Sequence, residues 1–133
     1  MEQDFLNDLQ TSEPAFRAEP FYNPYGDCID YQTVDEAYFG DRVNSFITLY
    51  RSMKDRRAIG FLIKGVEHVL RNLGCQIVTI GTDQQPDGTI SLVTIVFAAI
   101  QEAEEKASRE QLDALGTLVP SMVDKTFPIR RAA

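Results

Sequence analysis

The short stretch IKGVEH, residues 63–68, holds the residues best suited to chemistry. Lys64, Glu67 and His68 place a cation, a carboxylate and an imidazole together where a helix is expected to begin. Backbone N–H groups at a helix N-terminus favour a bound anion. In a hydrolase, His68 would act as the general base and Lys64 would stabilise developing negative charge. The alternative is structural, with His68 on the exposed flank of an amphipathic helix.

A second candidate site is the cluster of basic residues in the middle of the chain. Residues 42–73 carry seven Lys or Arg against two Asp or Glu, whereas the segments on both sides are acidic. Arginine binds phosphate and carboxylate groups through paired hydrogen bonds, which suits a nucleotide or an acidic partner. The alternative is a solvated hairpin tip, because no glycine-rich phosphate loop adjoins the cluster. The candidate anion- or partner-binding residues are Arg51, Lys54, Arg56, Arg57, Lys64 and Arg71, and the possible ligand-site residues are Tyr50, Glu67 and His68.

The acidic residues and the cysteines do not predict a catalytic or metal site. Asp27 and Asp30 are three positions apart, so they fall on opposite faces of a strand. Cys28 and Cys75, with a single histidine, cannot supply a four-ligand Cys/His zinc site. A cysteine nucleophile would need His68 as its base. We therefore predict no catalytic residue, no metal and no cofactor, and two free thiols, with a disulfide between them as the alternative.

Composition limits the class of protein. The length of 133 residues matches one domain, and 44% hydrophobic and 25% charged residues are typical of a soluble globular protein. The longest apolar-rich run, residues 90–100, is too short for a membrane helix. The N-terminus is acidic where a signal peptide is basic, so we predict a cytoplasmic protein. The net charge of −7 argues against general nucleic-acid binding, which requires Lys and Arg to neutralise phosphates.

The first half of the chain predicts strands followed by a helix. Strands are expected at residues 27–33, 43–52 and 58–64, with a connection at 34–42 and the turn KDRR at 54–57. The last two strands would form a β-hairpin, in which Gly60 permits a bulge or close packing. Residues 66–74 have apolar positions at helical spacing, and Gly74 suits a left-handed C-cap.

The second half predicts another hairpin and a longer helix. Residues 75–81 and 89–98 are rich in β-formers and flank the turn residues PDG at 86–88. A helix is expected from Ala98 to about Gly116, with small residues on its apolar side. Residues 117–133 contain too many apolar side chains for a free tail. We expect them to cover an edge of the sheet or to cross to a second subunit.

The order DCIDY, DRVNSFITLYRS and AIGFLIKGV, within residues 26–70, resembles a family of small uncharacterised bacterial proteins, a domain of unknown function. In that family an acidic-cysteine strand is followed by a TVY-like strand and by a vGxxIKGV-like strand that enters a helix. The resemblance covers about a third of the chain and leaves residues 75–133 outside it. It implies an α+β module and no catalytic residues, because such families have no established activity.

Together these patterns predict an α+β fold with a mostly antiparallel sheet of about five strands and two helices packed on one face. A parallel sheet built from βαβ units is the alternative. Residues 1–20 would form a mobile acidic arm, and residues 21–133 a single domain. Within the arm, DFLNDLQ can make one amphipathic turn that needs a partner or its own domain to fold against.

The absence of a strong catalytic pattern favours a small non-catalytic binding or regulatory module that acts through protein–protein interaction. One alternative is a protein that binds or sequesters a small anionic ligand such as a nucleotide, and another is a hydrolase using His68. The expected partner is another protein or a second copy of the chain, not a membrane. A homodimer is expected because five large apolar residues exceed what one thin sheet can bury: Phe39, Phe46, Tyr50, Phe127 and Ile129.

Overall fold

The computed structural model describes residues 15–79, 81 and 84–131, which form eight strands and four helices in the predicted α+β class. The strands are β1 (Phe21–Asn23), β2 (Cys28–Gln32), β3 (Tyr38–Arg42), β4 (Ile47–Ser52), β5 (Ala58–Lys64), β6 (Cys75–Ile77), β7 (Gly88–Ser91) and β8 (Thr126–Arg131). The helices are α1 (Val66–Asn72), α2 (Leu92–Glu102), α3 (Arg109–Gly116) and α4 (Val119–Met122). The predicted arm lies outside the described residues, except for positions 15–20.

The main sheet has five strands in the order β1-β2-β5-β4-β3, and every neighbouring pair is antiparallel, as predicted. Strands β4 and β5 form the expected hairpin around the KDRR turn. The prediction that residues 34–42 only connect strands is wrong, because Tyr38–Arg42 pairs with β4 as an edge strand. Pairing with a neighbour overrides the weak strand propensity of its central Gly40 and Asp41.

One face of this sheet forms the core. Its residues lie in two cross-strand rows, Ile29, Ile63 and Ile47 in one and Tyr31, Phe61 and Leu49 in the other. The rings of Tyr31 and Phe61 meet edge to face at 5.6 Å, and the Tyr31 hydroxyl donates a hydrogen bond to the carbonyl of Ser121. Buried residues of α1, α2 and α3, together with Met122 of α4, belong to the same cluster. The helices and this face of the sheet therefore contribute to one core.

Two glycines adopt the roles that the sequence predicted. The register between β4 and β5 shifts between Tyr50 and Arg51, and Gly60 lies at this irregularity, against the backbone of β2. Gly74 follows α1 with a φ of 75°, the left-handed conformation that ends many helices. Close packing excludes a side chain at Gly60, and the backbone conformation disfavours one at Gly74.

The predicted second hairpin is wrong. Strands β6 and β7 do not pair with each other, since each lies antiparallel to β8 in a three-stranded sheet of order β6-β8-β7. The C-terminal segment is therefore a central strand of its own chain rather than an edge cover or a crossing to a second subunit. Residues 92–102 are helical because Ser91 caps the helix and accepts the N–H of Thr94 at 3.4 Å.

The predicted helix from Ala98 to Gly116 is also wrong, because it is two helices. Helix α2 ends at Glu102, and α3 begins after Ser108. The Ser108 hydroxyl accepts the N–H of Gln111 at 3.1 Å, and the Gln111 side chain accepts the N–H of Ser108 at 3.0 Å. This capping box starts a new helix, so residues 15–79, 81 and 84–131 contain four helices where two were predicted.

Candidate functional site

The chain's own carboxylates already bind much of the predicted basic cluster. At the hairpin tip, the Arg57 guanidinium lies 2.6 Å from Glu36 and 2.9 Å from Asp55. Hydrogen bonds from the backbone and side chain of Arg57 lower the pKa of the Asp55 carboxyl. Lys54 approaches the same Glu36 at 3.6 Å. Because Lys54, Asp55 and Arg57 are exposed, the pairs add little stability but reduce the positive field of the tip, although Glu36 is only 18% exposed.

The other exposed cations of the cluster point in different directions. Arg56, with a φ of 66°, places its guanidinium 5.5 Å from the ring centroid of Phe39. Arg71 lies 3.6 Å from Glu67, one turn away on α1. Lys64 is exposed at the end of β5. The six basic residues therefore do not converge on one anion site.

Arg51 has a structural role. Its side chain is only 10% exposed, and its guanidinium lies 2.8 Å from Asp41 and 2.6 Å from Glu110. It also donates a hydrogen bond to the carbonyl of Arg56 at 3.0 Å. Gln111 adds a hydrogen bond to Asp41 at 3.1 Å. This network, which we call the Arg51 clamp, holds the start of α3 against β3 and β4.

The anion position at the start of α1 is filled by the chain itself. The Asp27 carboxylate, from the loop between β1 and β2, accepts the N–H of Glu67 at 3.0 Å. Gly65 precedes the helix with a φ of 64°, which allows the tight entry from β5. Tyr22 donates its hydroxyl to Asp27 at 2.8 Å, and burial together with this hydrogen bond raises the pKa of Tyr22. Lys64 and His68 therefore do not share a preformed anion site here.

His68 forms a pair with a carboxylate. Its Nε2 lies 2.8 Å from Glu102, and its ring stacks on Phe46 with the centroids 5.8 Å apart. The hydrogen bond with His68 is the main cause that lowers the pKa of Glu102. A histidine oriented by a carboxylate is half of a nucleophilic triad. Among the described residues, no hydroxyl or thiol forms a hydrogen bond with this ring, so the pair ties α1 to α2.

Cys28 is poorly suited to be a nucleophile. Partial burial, followed by the charges of Asp30 and Asp27, raises the pKa of its thiol. Since the thiolate is the reactive form, a raised pKa leaves less of it at neutral pH. Cys75 is buried, and its pKa is raised for the same reason of desolvation. Both thiols are free, as predicted.

The reactivity of Cys28 gives a pH-dependent prediction. We expect iodoacetamide to modify Cys28 more slowly than free cysteine at about pH 7.5, with a rate that rises as the pH passes the raised pKa. Asp30→Asn removes one charge that raises the pKa and should accelerate the reaction. Intact-mass spectrometry over time measures both rates. Faster modification of Cys28 than of free cysteine would contradict the assignment and restore it as a candidate nucleophile.

The opposite face of the main sheet carries a series of exposed and partly exposed residues. A continuous row of paired residues crosses all five strands there: Phe21, Asp30, Leu62, Thr48 and Arg42. Each of these residues is exposed or partly exposed. With Tyr38, Tyr50 and Lys64, which project from the same side, they form what we call the open face.

Two stacked tyrosines lie on the β3–β4 side of the open face. The rings of Tyr38 and Tyr50 lie 4.1 Å apart at 29°. Tyr50 pairs across the sheet with Gly40 and Gly60, whose missing side chains leave room for its ring to lie on the sheet. Its hydroxyl donates to Asp30 at 2.9 Å, and burial plus this bond raise the pKa of Tyr50. Tyr50 is therefore a neutral, buried support for the exposed ring of Tyr38.

The open face includes two of the predicted site residues, Tyr50 and Lys64. Sequence reasoning missed Tyr38, Leu62 and Phe21 as members of the same surface. The signal that could have found them is alternation within the strands, but using it requires the pairing register. Cross-strand partners share a face, and that register is fixed by tertiary contacts.

Comparison of the chain with protein-family models, with curated proteins and with solved structures finds no match. Among the described residues, no group of three or more His, Cys, Asp or Glu side chains could hold a metal ion. Within that same part of the chain, no helix combines the length and the apolar character needed to cross a membrane. The geometry of the site is therefore the basis for a functional proposal.

Proposed function

We propose that the chain is a non-catalytic interaction module whose open face binds the open face of a second copy. The observation that carries this proposal is the uncovered row from Phe21 to Arg42. The row places apolar Leu62 at its centre, an acid, Asp30, on one side and a base, Arg42, at the far edge. A surface with both signs of charge on opposite sides is complementary to itself under two-fold rotation. Asp30 of each copy would then meet Arg42 of the partner subunit.

The size of the face indicates how strong the association is. Five strands spaced about 4.8 Å apart, with about five residues each, present a projected area of roughly 400 Å² per copy. Specific interfaces usually bury about 800 Å² of accessible surface on each partner. The projected area of the open face is therefore about half of this value, which corresponds to a small and weak interface. We expect a reversible dimer that forms in a concentration-dependent way.

The support for the homodimer differs from the argument made from sequence. Tyr50, Phe127 and Ile129 are only 6–7% exposed within a single chain, and Phe39 and Phe46 are partly buried. These five residues therefore do not require a partner. The homodimer is instead supported by the exposed apolar residues of the open face.

The alternative functions have less support. A small anionic ligand at Lys64 and Arg71 would have to compete with Asp27 at the helix start and with Glu67 for Arg71. A hydrolase would need a nucleophile or an activated water beside His68. The described contacts of His68 are with Glu102 and Phe46. Neither side chain supplies an attacking hydroxyl or thiol.

A charge exchange on the open face tests the proposal. We expect the wild-type chain to shift from monomer to dimer in sedimentation velocity between about 1 µM and about 500 µM, the range suited to a small interface. Asp30→Arg and Arg42→Asp should each weaken the dimer by at least about tenfold, since each places like charges together. The double exchange should restore it, because the opposite charges meet again.

A matched control separates this surface from general effects of charge. Leu73→Glu changes a 44% exposed leucine at the end of α1, away from the open face, and should leave the dimer unchanged. Leu62→Glu places the same new charge at the centre of the open face and should abolish it. A monomer at every concentration, or equal effects of the two variants, would reject the proposal.

A further inference from the structure

The outer edge of β3 is open to pairing with another strand. This strand has five residues, and its central Gly40 is exposed. The strand at the other edge of the main sheet, β1, has only three residues and lies between Pro20 and Pro24. Short strands and prolines protect a sheet edge from pairing, and β3 has neither kind of protection. The edge of β3 is therefore the better candidate for binding a further strand.

Hydrogen bonds at the two ends of the β3–β4 ladder show which backbone groups of β3 face outward. The N–H of Met53 donates to the carbonyl of Ala37 at 3.0 Å, and the N–H of Val43 donates to the carbonyl of Ile47 at 2.9 Å. Hydrogen bonding alternates along an antiparallel pair, so the odd-numbered residues of β3 bond to β4 and the even-numbered residues face away from it. The outward-facing residues are Tyr38, Gly40 and Arg42.

One end of this edge is already covered. The carbonyl of Arg42 accepts a hydrogen bond from the side-chain amide of Gln111 at 3.0 Å, which agrees with its outward direction. Among residues 15–79, 81 and 84–131, no hydrogen bond from outside the β3–β4 ladder reaches the backbone N–H or C=O of Tyr38 or Gly40. Unpaired backbone groups on an exposed edge are a template for another strand.

A second copy of β3 fits these groups in one register. If Tyr38 lies opposite the partner's Gly40, two-fold symmetry also places Gly40 opposite the partner's Tyr38. Each of these two pairs exchanges backbone N–H and C=O groups, and the carbonyl of Arg42 stays bound to Gln111. A register centred on Gly40 would instead need the carbonyl of Arg42. The glycine opposite Tyr38 leaves room for the tyrosine ring, as in other sheets where an aromatic side chain covers an edge glycine.

The same register brings the two Phe39 side chains together at the two-fold axis. Phe39 would face the partner's Phe39 in a non-hydrogen-bonded pair, in which the Cα atoms lie about 4.5 Å apart. The Phe39 side chain is partly exposed, and the Arg56 guanidinium lies 5.5 Å from its ring centroid. Aromatic pairs across neighbouring strands stabilise an antiparallel ladder. Phe39 therefore adds a side-chain contact to the backbone bonds.

We propose that β3 pairs antiparallel with β3 of a second copy, centred on Phe39, through the backbone groups of Tyr38 and Gly40. A second copy suits this edge because the strand is complementary to itself in both its backbone groups and its side chains. The contact is small, so we expect a dissociation constant of about 1 mM or weaker. This lies outside the concentration range in which the open-face dimer is measured.

Edge pairing leaves the open face of each copy uncovered. Tyr38 and Gly40 project from the same side of the sheet, and cross-strand partners share a face, so the open faces of the two copies lie side by side. Each open-face dimer has two β3 edges, and edge pairing therefore joins such dimers to one another. This consequence rests on the proposed function, whereas the edge contact itself does not.

Disulfide trapping of Phe39→Cys tests the register, in a chain that also carries Cys28→Ser so that the remaining native thiol, Cys75, is buried. Directly opposed Cβ atoms lie about 4.5–5.5 Å apart, which a disulfide can bridge after a small movement. Tyr38→Cys in the same background is the matched control, because its two copies are diagonal neighbours about 7–8 Å apart. In a glutathione redox buffer, we expect Phe39→Cys to form the covalent dimer at least about fivefold faster. Non-reducing electrophoresis measures the rates, and equal rates would overturn the register.

The Leu62→Glu chain separates edge pairing from the open-face proposal, because this variant should lack the open-face dimer. Between about 0.05 mM and about 2 mM, we expect the amide proton signal of Gly40 to move downfield in nuclear magnetic resonance spectra as it gains a hydrogen bond. The amide of Gly74 already donates to Arg71 at 3.0 Å, so its signal should stay in place. A Gly40 signal that does not move would overturn edge pairing and would leave the open-face test unaffected.

Discussion

Replacing Gly60 by alanine is expected to destabilise the fold by about 3 kcal/mol or more, a loss typical of severe strain in a core. A Cβ atom at this position would overlap the carbonyl oxygen of Tyr31 and would lie 2.9 Å from the Cα of Gln32. Both are backbone atoms of β2, which is paired on both sides. Strand β2 cannot move away without weakening its pairing with β1 or β5. Chemical denaturation with urea measures the change.

A matched glycine gives the opposite expectation. Gly116 ends α3, and a Cβ added there meets no atom within 4 Å. Gly116→Ala should therefore be neutral or stabilise the chain by up to about 1 kcal/mol, because alanine favours helix over glycine. If Gly60→Ala has the same urea midpoint of unfolding as the wild type, β5 does not approach β2 as closely as described.

Local patterns predicted the part of the fold that is local in sequence. The β4–β5 hairpin follows from alternating residues on both sides of a polar turn, and α1 follows from apolar spacing that ends at Gly74. Sequence also predicted Gly60 as a position of close packing. In each case the information lies within about ten residues, where turn chemistry and periodicity suffice.

The second half of the chain could not be predicted in the same way. Residues 92–102 are rich in β-branched residues, so a short apolar run fits both a strand and a buried helix. Ser91 decides between them by capping the helix, and Ser108 separates α2 from α3 in the same manner. Strand β8 pairs with two segments that are distant in sequence, and nothing local predicts such pairing.

The sequence predicted which types of residue belong to the candidate site, but not which residues they contact. Arg51 looked like a binding residue because it belongs to a basic cluster, yet one of its partners, Glu110, is 59 positions away. Asp27 fills the start of α1 from a distance of 40 positions. The open face required a register across five strands. Such partners follow from the tertiary fold, and a count of charges does not reveal them.

Arg51→Met is the second substitution with a large expected effect, because it leaves the carboxylates of the Arg51 clamp without their cation. Removing one partner of a fully buried ion pair costs roughly 3–5 kcal/mol. The side chains of Asp41 and Glu110 keep 29% and 69% exposure, so water compensates part of that loss. We expect the free energy of unfolding to fall by about 2 kcal/mol, below the value for full burial. Amide hydrogen exchange should increase first in α3, because the clamp holds the start of that helix.

Arg57→Met is the control, since it removes the same group from an ion pair at the exposed hairpin tip. It should leave the free energy of unfolding nearly unchanged, because exposed pairs contribute little. The double variant Arg51→Met with Asp41→Asn should lose less stability than the sum of the two single variants. Each single variant leaves one charged partner unpaired, whereas the double variant removes both charges of the Arg51–Asp41 pair. Equal losses in Arg51→Met and Arg57→Met would mean that burial does not strengthen the clamp.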